Sequence, residues 1–214
     1  MKPRCSNRKD HALTRTDVLI FVAVLVLLFA MIDFGPSVSE KRKVRQLSCL
    51  NNLKQIGMAC GDYTDKYPLQ ASITNGGTME LMNSSEPWRV FQVMSNELST
   101  PKILFCPADK TRTYGTNFDD SLKHHISYFI GVDATDADPQ SIVYGDSNFE
   151  FHKTTVPPGF FNMVSNNPPQ WSSTRHPGSG NFALADGSVQ SLTDKSLIQT
   201  LTATSLATNR IFIP

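Results

Sequence analysis

The chain has 214 residues, 40% of them hydrophobic and 18% charged, with 20 Lys and Arg against 19 Asp and Glu. That apolar content excludes a disordered chain, and 13 Pro and 12 Gly scattered along it exclude a collagen-like or low-complexity one. A net charge of +1 offers no global field for nucleic acid. The composition suits one globular domain with an appendage.

The appendage comes first. In residues 1–11, Lys2, Arg4, Arg8 and Lys9 outnumber Asp10 with almost nothing apolar beside them, which reads as a leader rather than part of a core. An uninterrupted apolar run follows from Val18 to Ile32. As a helix, Leu13 to Ile32 would extend about 30 Å, the thickness of a bilayer's hydrocarbon, so one membrane crossing is expected over about 13–34. The run passes into Asp33-Phe34-Gly35-Pro36 without the small-residue pair of a cleaved secretory signal. Asp17, an acid beside hydrocarbon, is costly there and points to function. The far flank, Glu40-Lys41-Arg42-Lys43-Val44-Arg45, is as basic as the leader, so charge alone does not orient the segment.

Beyond a kink at Gly35-Pro36, Leu47, Leu50, Leu53, Ile56, Cys60 and Tyr63 recur at three- and four-residue steps. They predict an amphipathic helix over 47–66 that Pro68 ends. Joined to the apolar run, it makes one long N-terminal helix. Past Pro68 a short helix is expected after Pro87, with Val90, Phe91 and Met94 inward. Alternation at Ile126, Tyr128, Ile130 and Val132 predicts a strand, as do Ile142 and Tyr144 before a Gly145-Asp146 turn. Residues 182–191 read as a hairpin whose two-residue Asp186-Gly187 turn is type I′, with Leu184 facing Val189. A short helix within 192–206 and an edge strand at Ile211 to Pro214 complete the chain. Segments 68–78, 107–125 and 147–175 read as loops. Helix first and strands after predict an α+β fold with a mostly antiparallel sheet packed on the helix.

Cys49 and Cys60 stand eleven residues apart on one helix, about 16 Å by rise, too far to bridge. This leaves Cys49–Cys106 or Cys60–Cys106 as pairs, Cys5 being in the leader. Asp133, Asp136 and Asp138 form an acidic cluster of the kind that holds Ca²⁺, without the glycine and final glutamate of an EF-hand loop. His176 and Asp186 suggest an acid–base pair or metal ligands, but there is no nucleophile elbow, H-E-x-x-H or paired ligand spacing beside them. Asp186 therefore reads as a turn former and His176 as a residue bonding a loop; no catalytic residue is assigned and no enzyme is expected. His124, His125 and His152 read as surface residues, and Trp88 and Trp171 as packing.

The octet Ala12-Leu13-Thr14-Arg15-Thr16-Asp17-Val18-Leu19 resembles the class III signal of type IV pilins and type II secretion pseudopilins. The string Cys49-Leu50-Asn51-Asn52-Leu53-Lys54-Gln55-Ile56-Gly57 is similar to the opening of a prepilin-like family. Phe105-Cys106-Pro107-Ala108-Asp109, and His176 followed after nine residues by Asp186-Gly187, match that family's Phe-Cys-Pro-x-Asp element and H-x9-D-G motif. The resemblance implies a pilin-like fold: a leader at 1–12, a long helix at 13–67 whose first half spans the membrane, and a β-rich head at 68–214. It implies cleavage between Ala12 and Leu13 by a prepilin peptidase, N-methylation of Leu13, and assembly registry through Asp17, which would pair with a neighbour's new N-terminus. On the same basis Cys49–Cys106 is the favoured disulfide.

The function so implied is that of a structural subunit assembled into a pilus or type II secretion pseudopilus. It would sit in the inner membrane by a single pass, its C-terminal domain periplasmic or extracellular. Its partners would be other pilin-like subunits, the secretion or pilus assembly machinery and membrane lipid; neither nucleic acid nor a cofactor is expected, Ca²⁺ at the aspartate cluster aside. The alternative is a membrane-anchored extracytoplasmic binding module for a glycan or ion that does not polymerise.

Overall fold

The computed structural model describes residues 14–32, 37–63, 72–135 and 137–214, the side chains of 31, 32, 62 and 63 excepted. Helix α1 runs Arg15–Ile32. Thr14 and Asp17 cap it reciprocally: the Asp17 carboxylate accepts from Thr14 N at 2.9 Å, and Asp17 N donates to Thr14 Oγ1 at 3.3 Å. Helix α2, Val38–Tyr63, opens with the same device, Glu40 accepting from Ser37 N at 2.6 Å and Glu40 N donating to Ser37 Oγ at 3.3 Å. These are two capping boxes, each satisfying backbone donors that a helix start leaves open.

The expected single long helix with a membrane-spanning first half is therefore overturned. There are two helices, and α1 with 18 residues extends only about 27 Å, with Arg15 and Asp17 in its first turn. No described helix is long and apolar enough to cross a membrane. Gly35 and Pro36, the expected kink, and Ala12 and Leu13, the expected cleavage site, lie outside the described residues.

Residues up to Lys41 and residues from Arg42 onward form two separate compact units. In the first, α1 leaves its apolar side chains in the open, from Val18 at 50% to Phe29 at 67% exposure. In the second, α2 buries Cys49, Leu53, Ile56 and Cys60 completely, a 4-3-4 spacing that lines one helix face. Leu47 was expected on that stripe but is exposed. At 100° per residue it sits about 200° round from Cys49.

The short helices α3 (Met79–Met82), α4 (Val90–Val93) and α5 (Ser95–Leu98) follow, with Val90, Phe91 and Met94 buried. The strands are β1 (Tyr128–Gly131), β2 (Ile142–Asp146), β3 (Phe149–Phe151), β4 (Thr154–Thr155), β5 (Gly159–Met163), β6 (Gln170–Trp171), β7 (Ser179–Leu184), β8 (Val189–Thr193) and β9 (Asn209–Ile213). Helix α6, Asp194–Ala203, lies between the last two. A six-stranded antiparallel sheet has the order β5-β9-β1-β2-β7-β8, and a small sheet the order β4-β3-β6. The architecture is α+β with a mostly antiparallel sheet.

Alternation along the large sheet feeds two cores. Tyr128, Ile130, Tyr144, Ala183 and Phe212 join the core containing α2's buried stripe. Phe129, Ile142, Phe182, Leu184, Ile211 and Ile213 join one containing Phe149, Trp171, Leu197 and Leu201. The sheet is thus covered on both faces, which explains why every residue of β1 and β2 is buried.

Several local expectations change. Gly145-Asp146 is no turn but the end of β2, where Gly145 pairs with Phe129 on one side and Phe182 on the other. A Cβ at Gly145 would lie 2.5 Å from ring atoms of both, so the glycine serves close ring approach. The β7–β8 hairpin pairs Ala183 with Val189, and Gly187 N donates to Leu184 O at 3.0 Å. Its loop is therefore Ala185-Asp186-Gly187, with only Gly187 at positive φ (79°), a three-residue turn rather than type I′. Strand β9 is interior, between β5 and β1, not an edge. Segment 147–175, expected as loop, supplies β3 to β6.

Candidate functional site

Three of the four sequence strings that carry the resemblance meet inside the head, the last of them through His176 and not Asp186. From α2, Asn52 Nδ2 donates to Phe105 O at 2.9 Å. One helical turn earlier, Cys49 forms a disulfide with Cys106, their Cα atoms 5.1 Å apart and 57 residues apart in sequence. Closing a loop of that length removes roughly 4 kcal/mol of denatured-chain entropy on the loop-closure account. Cys60 keeps its thiol. It accepts from Tyr144 Oη at 3.5 Å, and burial pushes its pKa up to about 12, which makes it unreactive.

Asp109 sits three residues past Cys106, its N–H donating to Cys106 O at 2.8 Å. Its carboxylate accepts from Thr111 N at 2.9 Å, Thr111 Oγ1 at 2.7 Å and Ser127 Oγ at 2.9 Å. Arg175 Nη2 stands 2.7 Å away in a pair of which 8% and 1% of the side chains are exposed. Arg175 Nη1 also donates to Ser127 O at 2.6 Å and to Ser147 Oγ at 3.2 Å. Burial alone would raise the Asp109 carboxyl, but Arg175 and the Thr111 and Ser127 donors hold it below the ordinary carboxylate range. Arg112, 3.9 Å from the same carboxylate, donates to Pro214 O.

Beside Arg175, His176 places Nε2 3.3 Å from Cys106 Sγ. The carboxylate near His176 is that of Asp146, not Asp186, at 3.7 Å, too long for a hydrogen bond. Asp146 Oδ2 instead accepts from Asn181 N at 2.9 Å and Nδ2 at 2.8 Å, while Asp146 Oδ1 is buried without a hydrogen-bond partner among the described residues. Burial raises Asp146, against the pull of His176, Arg175 and Asn181, and burial lowers His176, so both tend toward neutrality. Cys49, Cys106, Asp146 and His176 are all buried, and one potential ligand atom from each lies within 4.8 Å of the others.

Asp186 stands apart and exposed at the hairpin tip, accepting from Ser188 N at 2.8 Å, the short-range bond that shapes the turn before Gly187. The two described aspartates of the acidic cluster are turned to protein partners: Asp133 accepts from Arg210 N and its guanidinium, and Asp138 from Ser205 N, Ser205 Oγ and Gln140 N. Asp136 lies outside the described residues. His124 and His152 are exposed and His125 half-buried, while Trp88 and Trp171 pack in the interior.

Two cavities open against Arg175 and share Lys110 and Thr174. One of about 360 Å³ is lined by hydroxyls including Ser147, Thr155 and Ser172; the other, of about 150 Å³, faces Arg42 and Arg45. Sequence reasoning missed Asp146, Asn181, Ser127 and Arg175. Only Arg175 carried a local signal, its position next to His176. Comparison of the chain with family profiles, with curated proteins and with solved structures finds no match.

Proposed function

We propose that the chain is a prepilin-like structural subunit, cut by a prepilin peptidase between Ala12 and Leu13 and assembled with other pilin-like subunits into a pilus or type II secretion pseudopilus. The observation that carries this reading is α1. Leu19, Ile20, Phe21, Val26, Leu27 and Phe29 are each more than 60% exposed, and a helix apolar on every face needs an apolar surrounding. The α1 helices of neighbouring copies supply one of matching length and chemistry. Burying its eleven exposed large side chains would contribute on the order of 10 kcal/mol per copy before association costs.

In this scheme Asp17 caps α1 in the single chain, and its carboxylate meets the freed α-amino group of a neighbour in the filament, setting register. The head is the outward part. Its buried Cys49–Cys106 disulfide suits an oxidising compartment.

The test is self-association of the full chain, followed by cross-linking and sedimentation. Phe21→Lys puts a charge in the middle of the apolar helix and should abolish higher assemblies while leaving the head's urea midpoint unchanged. A Phe21→Lys chain that assembles like the parent sinks the proposal. A second reading, a binding module that does not polymerise, is favoured by the hydroxyl-lined cavity at Arg175; a parent chain that stays monomeric after leader removal would select it.

A further inference from the structure

The buried group at the centre of the head has the composition of a metal site. Cys49, Cys106 and Asp146 are 0% exposed and His176 is 3% exposed, and their ligand atoms converge from α2, the segment after residue 104, the end of β2 and the segment before β7. Two sulfurs, one imidazole nitrogen and one carboxylate oxygen are a tetrahedral zinc set. As a disulfide the sulfurs are not ligands. The chain, however, leaves the ribosome with both cysteines as thiols.

We propose that the dithiol form of the head binds one Zn²⁺ through Cys49, Cys106, Asp146 and His176, and that metal and disulfide are mutually exclusive states of the same site. Asp146 Oδ1 carries the argument beyond mere proximity: it is a fully buried oxygen with no hydrogen-bond partner among the described residues, on a carboxylate whose Oδ2 stands 3.7 Å from His176 Nε2. An orphaned buried acceptor is costly, and a cation at this point would satisfy it. Asn181 N and Nδ2 hold the other oxygen, as an orienting partner does for a ligating carboxylate. Around zinc the ligand atoms would stand roughly 3.3–3.8 Å apart, from bond lengths of about 2.0–2.3 Å. The two sulfurs, bonded to each other in the disulfide, must therefore move apart on reduction, while the other ligand atoms, all within 4.8 Å of one another, close by about 1.5 Å at most.

The chemistry balances. On loading, two thiols give two protons to solvent as their thiolates bind Zn²⁺. On oxidation, a protein or small-molecule disulfide accepts two electrons and two protons to become two thiols; the Cys49–Cys106 bond forms, and Zn²⁺ is released. A buried pair resists casual exchange, so the metal form would be loaded before the disulfide closes. This inference stands apart from the assembly of α1.

The experiment uses the full chain, opened and refolded under argon with a phosphine reductant and titrated with Co²⁺, then Zn²⁺, with circular dichroism confirming the fold. The reduced chain should take one Co²⁺ with tetrahedral thiolate-to-cobalt absorption that Zn²⁺ erases, and the oxidised chain none. Asn181→Ala should weaken affinity by about 10- to 100-fold, and Cys49→Ser/Cys106→Ser should lose the thiolate absorption. A folded, reduced chain that takes no Co²⁺ overturns the proposal. So does equal Co²⁺ uptake by the reduced parent, the double-serine variant and the oxidised chain, which would mean adventitious binding only.

Discussion

Asp109 joins the Phe-Cys-Pro-x-Asp segment to the His176 segment, and Asp109→Ala measures that joint. The substitution leaves Arg175, 8% exposed at its side chain, without its carboxylate, and removes from Arg112 the carboxylate 3.9 Å away. Breaking a buried ion pair from one side costs about 3–5 kcal/mol, because the remaining charge stays buried and unpaired. Ser127 Oγ, Thr111 Oγ1 and Thr111 N lose their acceptor as well. For a unit of this size about 2–4 °C accompanies each kcal/mol, so the melting temperature should fall by roughly 6–20 °C. Urea unfolding followed by tryptophan fluorescence suits the test, since Trp88 and Trp171 are both buried in the head. The double-mutant cycle with Arg175→Met is the sharper reading: the double variant should be less destabilised than the sum of the two singles, because it leaves no unpaired charge. A loss below about 1 kcal/mol in Asp109→Ala, or strict additivity in the cycle, would refute the claim that this pair holds the two segments together.

Gly145→Ala should cost about 1–3 kcal/mol by overpacking, since its Cβ would stand 2.5 Å from the Phe129 and Phe182 rings; a urea midpoint equal to the parent's would show that the rings yield freely. Acidification offers another test. Burial lowers His176 from its ordinary 6.5, so the unfolded chain binds the extra proton first, and the head should lose stability as pH falls below about 6.5. Asp109, held low, keeps its contribution until pH falls below about 3.8, whereas raised Asp146 acts in the opposite sense. A pH series of urea midpoints should therefore slope downward just below pH 6.5 in the parent and flatten in His176→Gln; equal slopes would remove His176 from the account.

Much of the sheet is written in local pattern. Ile126 to Val132 alternates and contains β1, and the Asp186-Gly187 turn marks the β7–β8 hairpin, because strand period and turn chemistry are properties of adjacent residues. Full burial of both faces is not such a property, and it made Gly145-Asp146 look like punctuation when the glycine is ring clearance and the aspartate is core. The small sheet escaped because β4 and β6 are two residues each, too short to show a period. The division into α1 and α2 was legible: Thr14-x-x-Asp17 and Ser37-x-x-Glu40 are capping-box strings, outweighed by the length of the apolar run. The site was half legible. The strings around Cys49, Cys106 and His176 are local, but the carboxylate that meets His176 comes from Asp146, thirty residues away. Only the antiparallel pairing of β2 with β7 brings it there.

The most direct test of the assembly account is the N-terminal sequence of the chain recovered from the assembled fraction of cells that carry a prepilin peptidase. The account predicts Leu13, bearing a methyl group on its α-nitrogen, as the first residue. Assembled protein that still begins at Met1 would contradict it.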